Sequence, residues 1–132
     1  MRRATIGLVV VALALGAAAT AHAGSIRNPA ERHAAERCDH GRVNACLKRA
    51  AIHYRVSYAL MRSIAWCESR LQPRAYNPSG ASGLMQFMPG TWQATPYRAR
   101  PVFSAKWNAL AGAWLLRRQG TGPWTASRHC WG

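Results

Sequence analysis

Glu68 is the only carboxylate from residue 40 to the C-terminus of a chain with 18 lysines and arginines and four acidic residues. It stands in Trp66-Cys67-Glu68-Ser69, at the end of a helical pattern. A loop rich in Pro, Gly, Asn and Ser follows, and Leu84 to Trp92 restart structure. A carboxyl group on an apolar helix face is desolvated, which disfavours its charge, and the negative end of a helix acts in the same direction. Both features suit a general acid. Enzymes that use such an acid commonly pair it with a second carboxylate as base or nucleophile. The other three here, Glu31, Glu36 and Asp39, precede the domain and are poor candidates. A lone acid suits a reaction in which the substrate supplies its own nucleophile.

The elements that must position Glu68 are helical. Val43, Cys46, Leu47, Ala50 and Ala51 recur at three- and four-residue spacing, which predicts a helix from about Arg42 to Tyr54. Ser57 is an N-cap for a second helix, from Tyr58 to about Arg70, closed by Pro73. On its wheel Leu60, Met61, Ile64 and Ala65 form an apolar arc with Glu68 in the middle. Arg62, Ser63, Ser69 and Arg70 take the opposite side. Trp66 falls on that polar side and is expected to pack against a neighbouring segment.

Pro73 to Gly83 has turn chemistry throughout, clearest at Asn77-Pro78-Ser79-Gly80. Leu84 to Phe87 restart buried structure, and Pro89 to about Ala94 fit a short helix with Pro in its first turn. Ser104 caps a last clear helix to about Gln119, with Trp107, Leu110, Ala111 and Trp114 as its apolar stripe and Gly120 as its stop. The tail from Gly122 to Trp131 is too irregular for a long helix. No strand announces itself, so the fold class is mainly α.

Composition narrows the setting. Residues 1–23 have the three parts of a secretory signal peptide: Met1-Arg2-Arg3, an apolar run from Ile6 to Ala19, and Ala21-His22-Ala23 as cleavage site. Cleavage leaves 109 residues, one domain with a modest core, carrying a formal charge of +12. Residues 24–41 form a polar N-terminal segment, and 42–132 the folded domain. The charge attracts polyanions; export favours anionic cell-envelope polymers over nucleic acid. Four cysteines, Cys38, Cys46, Cys67 and Cys130, in a small exported domain predict two disulfides. A zinc site on Cys38, His40 and Cys46 is the alternative, but structural zinc spacings are lacking. No cofactor or metal is expected, and the protein is expected to be a monomer.

Glu68-Ser69 with Asn77-Pro78-Ser79-Gly80-Ala81-Ser82-Gly83-Leu84-Met85-Gln86-Phe87-Met88-Pro89-Gly90-Thr91 resembles the signature of soluble lytic transglycosylases. These are lysozyme-fold enzymes that cleave the glycan strands of peptidoglycan. The chain is also similar to the resuscitation-promoting factors, where a Cys directly before the acid pairs with one near the C-terminus. The resemblance spans roughly Arg49 to Gly132 and implies a small lysozyme-like domain stapled by Cys67–Cys130 and Cys38–Cys46. It makes Glu68 the acid that protonates the glycosidic oxygen. Gln86 and Met88 then line the sugar groove, Asn77 replaces a hydroxyl residue there, and Ser82 to Met85 meet an N-acetyl group.

The bland alternatives are that Met88 and Phe87 are core and that Ser82 only forms a turn. One departure stands out. Transglycosylases of this type carry an Ala-Tyr-Asn motif near the acid, whereas this chain has Gly122-Pro123-Trp124-Thr125-Ala126-Ser127. Trp124 offers an apolar wall or a sugar-stacking face, but no phenol. The implied reaction is attack by the 6-hydroxyl of N-acetylmuramic acid on its own C1, giving a 1,6-anhydro sugar. Hydrolysis by water and non-catalytic wall binding are the rival expectations.

Overall fold

The computed structural model describes Cys38 and residues 42–132. The signal peptide and, apart from Cys38, the polar N-terminal segment lie outside the described residues. Five α-helices follow: α1 Val43–Tyr54, α2 Tyr58–Ser69, α3 Pro89–Gln93, α4 Ala105–Gln119 and α5 Arg128–Trp131. A 3₁₀ segment, Gly122–Ser127, precedes α5. Among the described residues extended pairing is confined to two isolated antiparallel bridges, Tyr76 with Ser82 and Ser82 with Phe87. The domain is mainly α. None of its described helices is long and apolar enough to cross a membrane.

Local chemistry sets the helix ends. Ser57 caps α2 by accepting the Leu60 amide at 3.2 Å. Its C-terminus is not set by Pro73. Arg70 and Leu71 take left-handed φ values of 55° and 61°, and their amides close on the Trp66 and Ala65 carbonyls, ending the helix before proline is reached. Ser104 precedes α4, but its side chain does not cap; its carbonyl accepts the Asn108 amide.

α4 is the spine. α1 lies along it and against α2, and α2 packs in turn on the 3₁₀ segment and α5. The core gathers Leu47, Ala50, Met61, Ile64 and Ala65 against Leu84, Met85, Ala109, Ala111 and Ala113, all fully buried. The stripe expected on α4 is therefore displaced. Its buried face runs through Asn108, Ala111, Gly112, Leu115 and Leu116, while Trp107 and Trp114 sit at its margins. Small residues win the centre because the Met85 side chain packs directly against the helix: a Cβ on Gly112 would lie 2.0 Å from Met85 Sδ. The marginal tryptophans are covered by cations, Arg100 and Lys106 over Trp107 and Arg118 over Trp114. Trp66 is likewise exposed with Arg70 5.1 Å above its ring, so the expected neighbour is a side chain of its own helix end.

Two disulfides join Cys38 to Cys46 and Cys67 to Cys130, with Cα separations of 4.8 and 5.9 Å. The first uses both sulfurs that the alternative zinc site would need. The second ties α5 to the residue directly before Glu68.

Candidate active site

Glu68 lies in the last turn of α2, half-buried. The wheel gives its direction correctly, toward the arc of Met61, Ile64 and Ala65, which are fully buried. Its depth is set by its position along the axis. At the end of the helix the core gives way, and the carboxyl group stays within reach of solvent. The same wheel misplaces Ser69, which is only 7% exposed. Its hydroxyl lies 3.0 Å from the Ala65 carbonyl and 2.7 Å from that of Leu84, and it accepts the Gln72 amide at 3.2 Å. Ser69 thereby joins the end of α2 to the loop that follows, one residue from the acid. A hydroxyl on the expected polar side turns inward because the buried Leu84 carbonyl takes it as a donor there.

That loop is a rigid unit. Asn77 starts its turn: its Oδ1 accepts the Ser79 amide at 3.0 Å and its carbonyl accepts the Gly80 amide at 2.8 Å. Ser82 and Phe87 exchange both backbone hydrogen bonds, at 3.0 and 2.9 Å, pinching residues 82–87 into a tight hairpin-like turn. Inside it Gln86 takes a positive φ of 52°, and its side-chain amide nitrogen holds the Gly83 carbonyl at 2.9 Å and that of Ala75 at 3.3 Å. The side-chain oxygen of Gln86 has no part in these bonds.

Asn108, from the middle of α4, locks the unit from behind. Its Oδ1 accepts the Met85 amide at 2.8 Å, and its Nδ2 donates to Val102 O at 2.8 Å and to Ser82 O at 3.4 Å. Gly83 must be glycine, since its φ is 81° and a Cβ would lie 2.2 Å from Asn108 Nδ2.

The sequence-predicted residues divide by depth. Asn77 and Met88 are exposed, and Ser82, Gln86 and Glu68 are half-buried, so all five can meet a ligand. Phe87 is core, as its bland alternative had it; Met88, at 45% exposed, is not. Ser82 does form a turn, donating to Gly80 O at 3.0 Å. Met85 is fully buried, with its amide and carbonyl both engaged, so its side chain cannot line a sugar site. Trp124 is 5% exposed and donates its Nε1–H to Met85 O at 3.0 Å. It is a wall behind the loop and not a stacking face, because its ring is spent filling the core.

Three participants escape sequence reasoning. Ser127 Oγ–H donates to Glu68 Oε1. Trp131 Nε1–H in turn donates to Ser127 Oγ at 3.0 Å. The tail that lacks the expected tyrosine therefore still delivers a hydroxyl to the acid. No periodicity marks Ser127, since it acts across 59 residues of chain. Asn108 had a signal, a poor helix former in the middle of a long helical pattern. A depression of about 590 Å³ lined by Arg74, Pro101, Phe103 and Ser104 flanks this loop at Arg74 and holds no carboxylate.

Residues 45–122 match the Transglycosylase SLT domain family. A 51-residue stretch is 43% identical to the peptidoglycan transglycosylase gp16 of Escherichia phage T7, covering 39% of this chain and 4% of the phage protein's length. The family match covers more than half of the chain and includes Glu68 and the whole of the loop. The chain belongs to the Transglycosylase SLT domain family.

Proposed function

We propose that this protein is an exported peptidoglycan lytic transglycosylase in which Glu68 serves first as acid and then as base. The observation that carries the reading is the isolation of that carboxylate: it is the only acidic side chain among the described residues, and the residue after it, Ser69, is hydrogen-bonded to the loop at Leu84 O. Glu68 gives its proton to the oxygen linking N-acetylmuramic acid to N-acetylglucosamine, and the C1–O bond breaks. The carboxylate left behind then takes the proton of the 6-hydroxyl as O6 bonds to C1. The products are a 1,6-anhydro-muramyl end and a free 4-hydroxyl. No water enters, and Glu68 regains its proton, so no second carboxylate is required.

The remaining residues take supporting roles. Asn77, Ser82, Gln86 and Met88 face the strand, with the Gln86 side-chain oxygen as an acceptor for a sugar or amide N–H. Met85 and Trp124 hold the loop from inside. A catalytic domain with so strong a positive charge also draws anionic cell-envelope polymers, which concentrates it at its substrate.

The test is product analysis on purified peptidoglycan. Mass spectrometry should find anhydro-muramyl ends, and Glu68→Gln should keep the fold and both disulfides while losing at least about a hundredfold in rate. Reducing ends would identify a hydrolase instead. A Glu68→Gln variant with parental rate would overturn the assignment of the acid.

A further inference from the structure

The C-terminal unit does more than cover the core. Ser127 Oγ has a single proton and two acceptors within reach: Glu68 Oε1 and, at 3.1 Å, the Trp124 carbonyl. From a third direction Trp131 Nε1–H donates to the same Oγ, which keeps the oxygen in place while leaving its O–H free to turn. Trp131 is itself anchored by a second contact to Trp124 O at 3.2 Å. Its neighbour Cys130 is bonded to Cys67, one residue before the acid, so both ends of the arrangement share one covalent frame.

We propose that Ser127 is a positioning residue for the acid, a hydroxyl that turns between the Trp124 carbonyl and Glu68 as the carboxyl group loses and regains its proton. The inference rests on Glu68 being the acid and base. A hydrogen bond to a carboxylate is about twice as strong as one to a neutral group. The Ser127 proton therefore turns toward Oε1 when Glu68 becomes charged and is released toward Trp124 O when it becomes neutral. Two consequences follow for the reaction. Occupation of Oε1 in the charged state leaves Oε2 as the oxygen that collects the proton from the 6-hydroxyl and so carries it into the next delivery. The charge that appears on Glu68 in mid-reaction is met by a donor already in place, with no water needed.

The test compares Ser127→Ala with Ser127→Thr, and both with Glu68→Gln, in the full chain. Ser127→Ala should lower kcat about tenfold with little change in KM, because the hydroxyl touches the acid and not the glycan. The alkaline limb of its pH–rate profile should move up, since the charged form of Glu68 loses its donor. Ser127→Thr should restore both. Trp131→Phe, which keeps an aromatic side chain but removes the N–H, should shift both in the same direction by less.

The other charged and titratable groups on α2 and on the segments around it stay in every variant. These are Tyr58 and Arg62 on α2 and Arg70 just past its end, Arg128 and His129 on α5, Lys48, Arg49, His53 and Tyr54 on α1 with Arg55 after it, and Arg74 and Tyr76 in the loop. The 3₁₀ segment has none, so a shift in the profile reads the hydroxyl alone. A fall in active fraction with an unmoved profile would make Ser127 merely structural and overturn the proposal, as would parental kinetics in Ser127→Ala. If Glu68→Gln is inactive and Ser127→Ala is parental, this inference alone fails. If Glu68→Gln retains parental activity, the assignment of the acid fails with it.

Discussion

At the scale of single residues, the site is held by polar groups that the core can bury only because each is fully used. Asn108 is completely buried, yet it satisfies Met85 N–H and the carbonyl of Val102 with one side chain. A side-chain amide carries its donor and its acceptor on separate atoms, so it can meet an N–H and a C=O at once. Asn108→Ala should leave at least two buried backbone groups without partners, at about 1–3 kcal/mol each. We expect a loss of roughly 2–5 kcal/mol in urea unfolding, with the loop of residues 82–87 loosened before the helices. A variant within 0.5 kcal/mol of the parent, on the order of an ordinary surface substitution, would contradict this role. Ser127 belongs to the same scale but acts on the acid itself, so its substitution is read in kinetics and not in stability.

At the scale of elements, the link that matters for the site is Cys67–Cys130. It closes a span of 63 residues and fastens a four-residue helix that could not hold its own place. Chain-entropy arguments put such a cross-link at about 4 kcal/mol, against roughly 2.5 kcal/mol for the short span between Cys38 and Cys46. Cys130 is exposed and Cys67 half-buried, so a thiol reagent can reach the bond. Opening it, by mild reduction or with Cys67→Ala and Cys130→Ala together, should release α5 and with it Ser127. Activity should then fall by more than the folded fraction measured by circular dichroism at the same temperature. Activity that tracks the folded fraction one for one would show that α5 stays docked without its staple.

At the scale of the whole molecule, charge and buried phenols set the response to pH. Tyr54, at the end of α1, and Tyr97, in the loop before α4, share a hydrogen bond of 2.5 Å between their hydroxyls. Burial first, and then this bond, push the Tyr97 phenol well above its ordinary range. A raised value means that the folded state favours the neutral phenol. The stability this contributes is complete below about pH 10, the ordinary phenol value, and is lost progressively as pH rises beyond it. The melting temperature should therefore fall above about pH 10, and fall less steeply in Tyr97→Phe, which has no proton to lose. Every other charge in the chain is common to both proteins, so the difference between them is the informative measurement. Equal slopes would mean that the Tyr54–Tyr97 pair carries no pH-dependent stability.

The sequence by itself determined the helical class, the Ser57 cap, the turn at Asn77 to Gly80, and the direction in which Glu68 points. Each of these depends on neighbours within a few residues, through helical periodicity, side-chain capping or the conformational freedom of glycine. What only the tertiary structure decided has long-range causes. Met85 and Trp124 became supports because the core took their side chains, and Ser69 turned inward because Leu84 O needed a donor. The face that α4 buries was chosen by the approach of Met85 to Gly112, against the larger apolar stripe of tryptophans. Ser127 reaches Glu68 because a disulfide 63 residues long brings the tail back to α2. Chemistry within one turn is written in residue order; chemistry between distant segments exists only once the chain has closed.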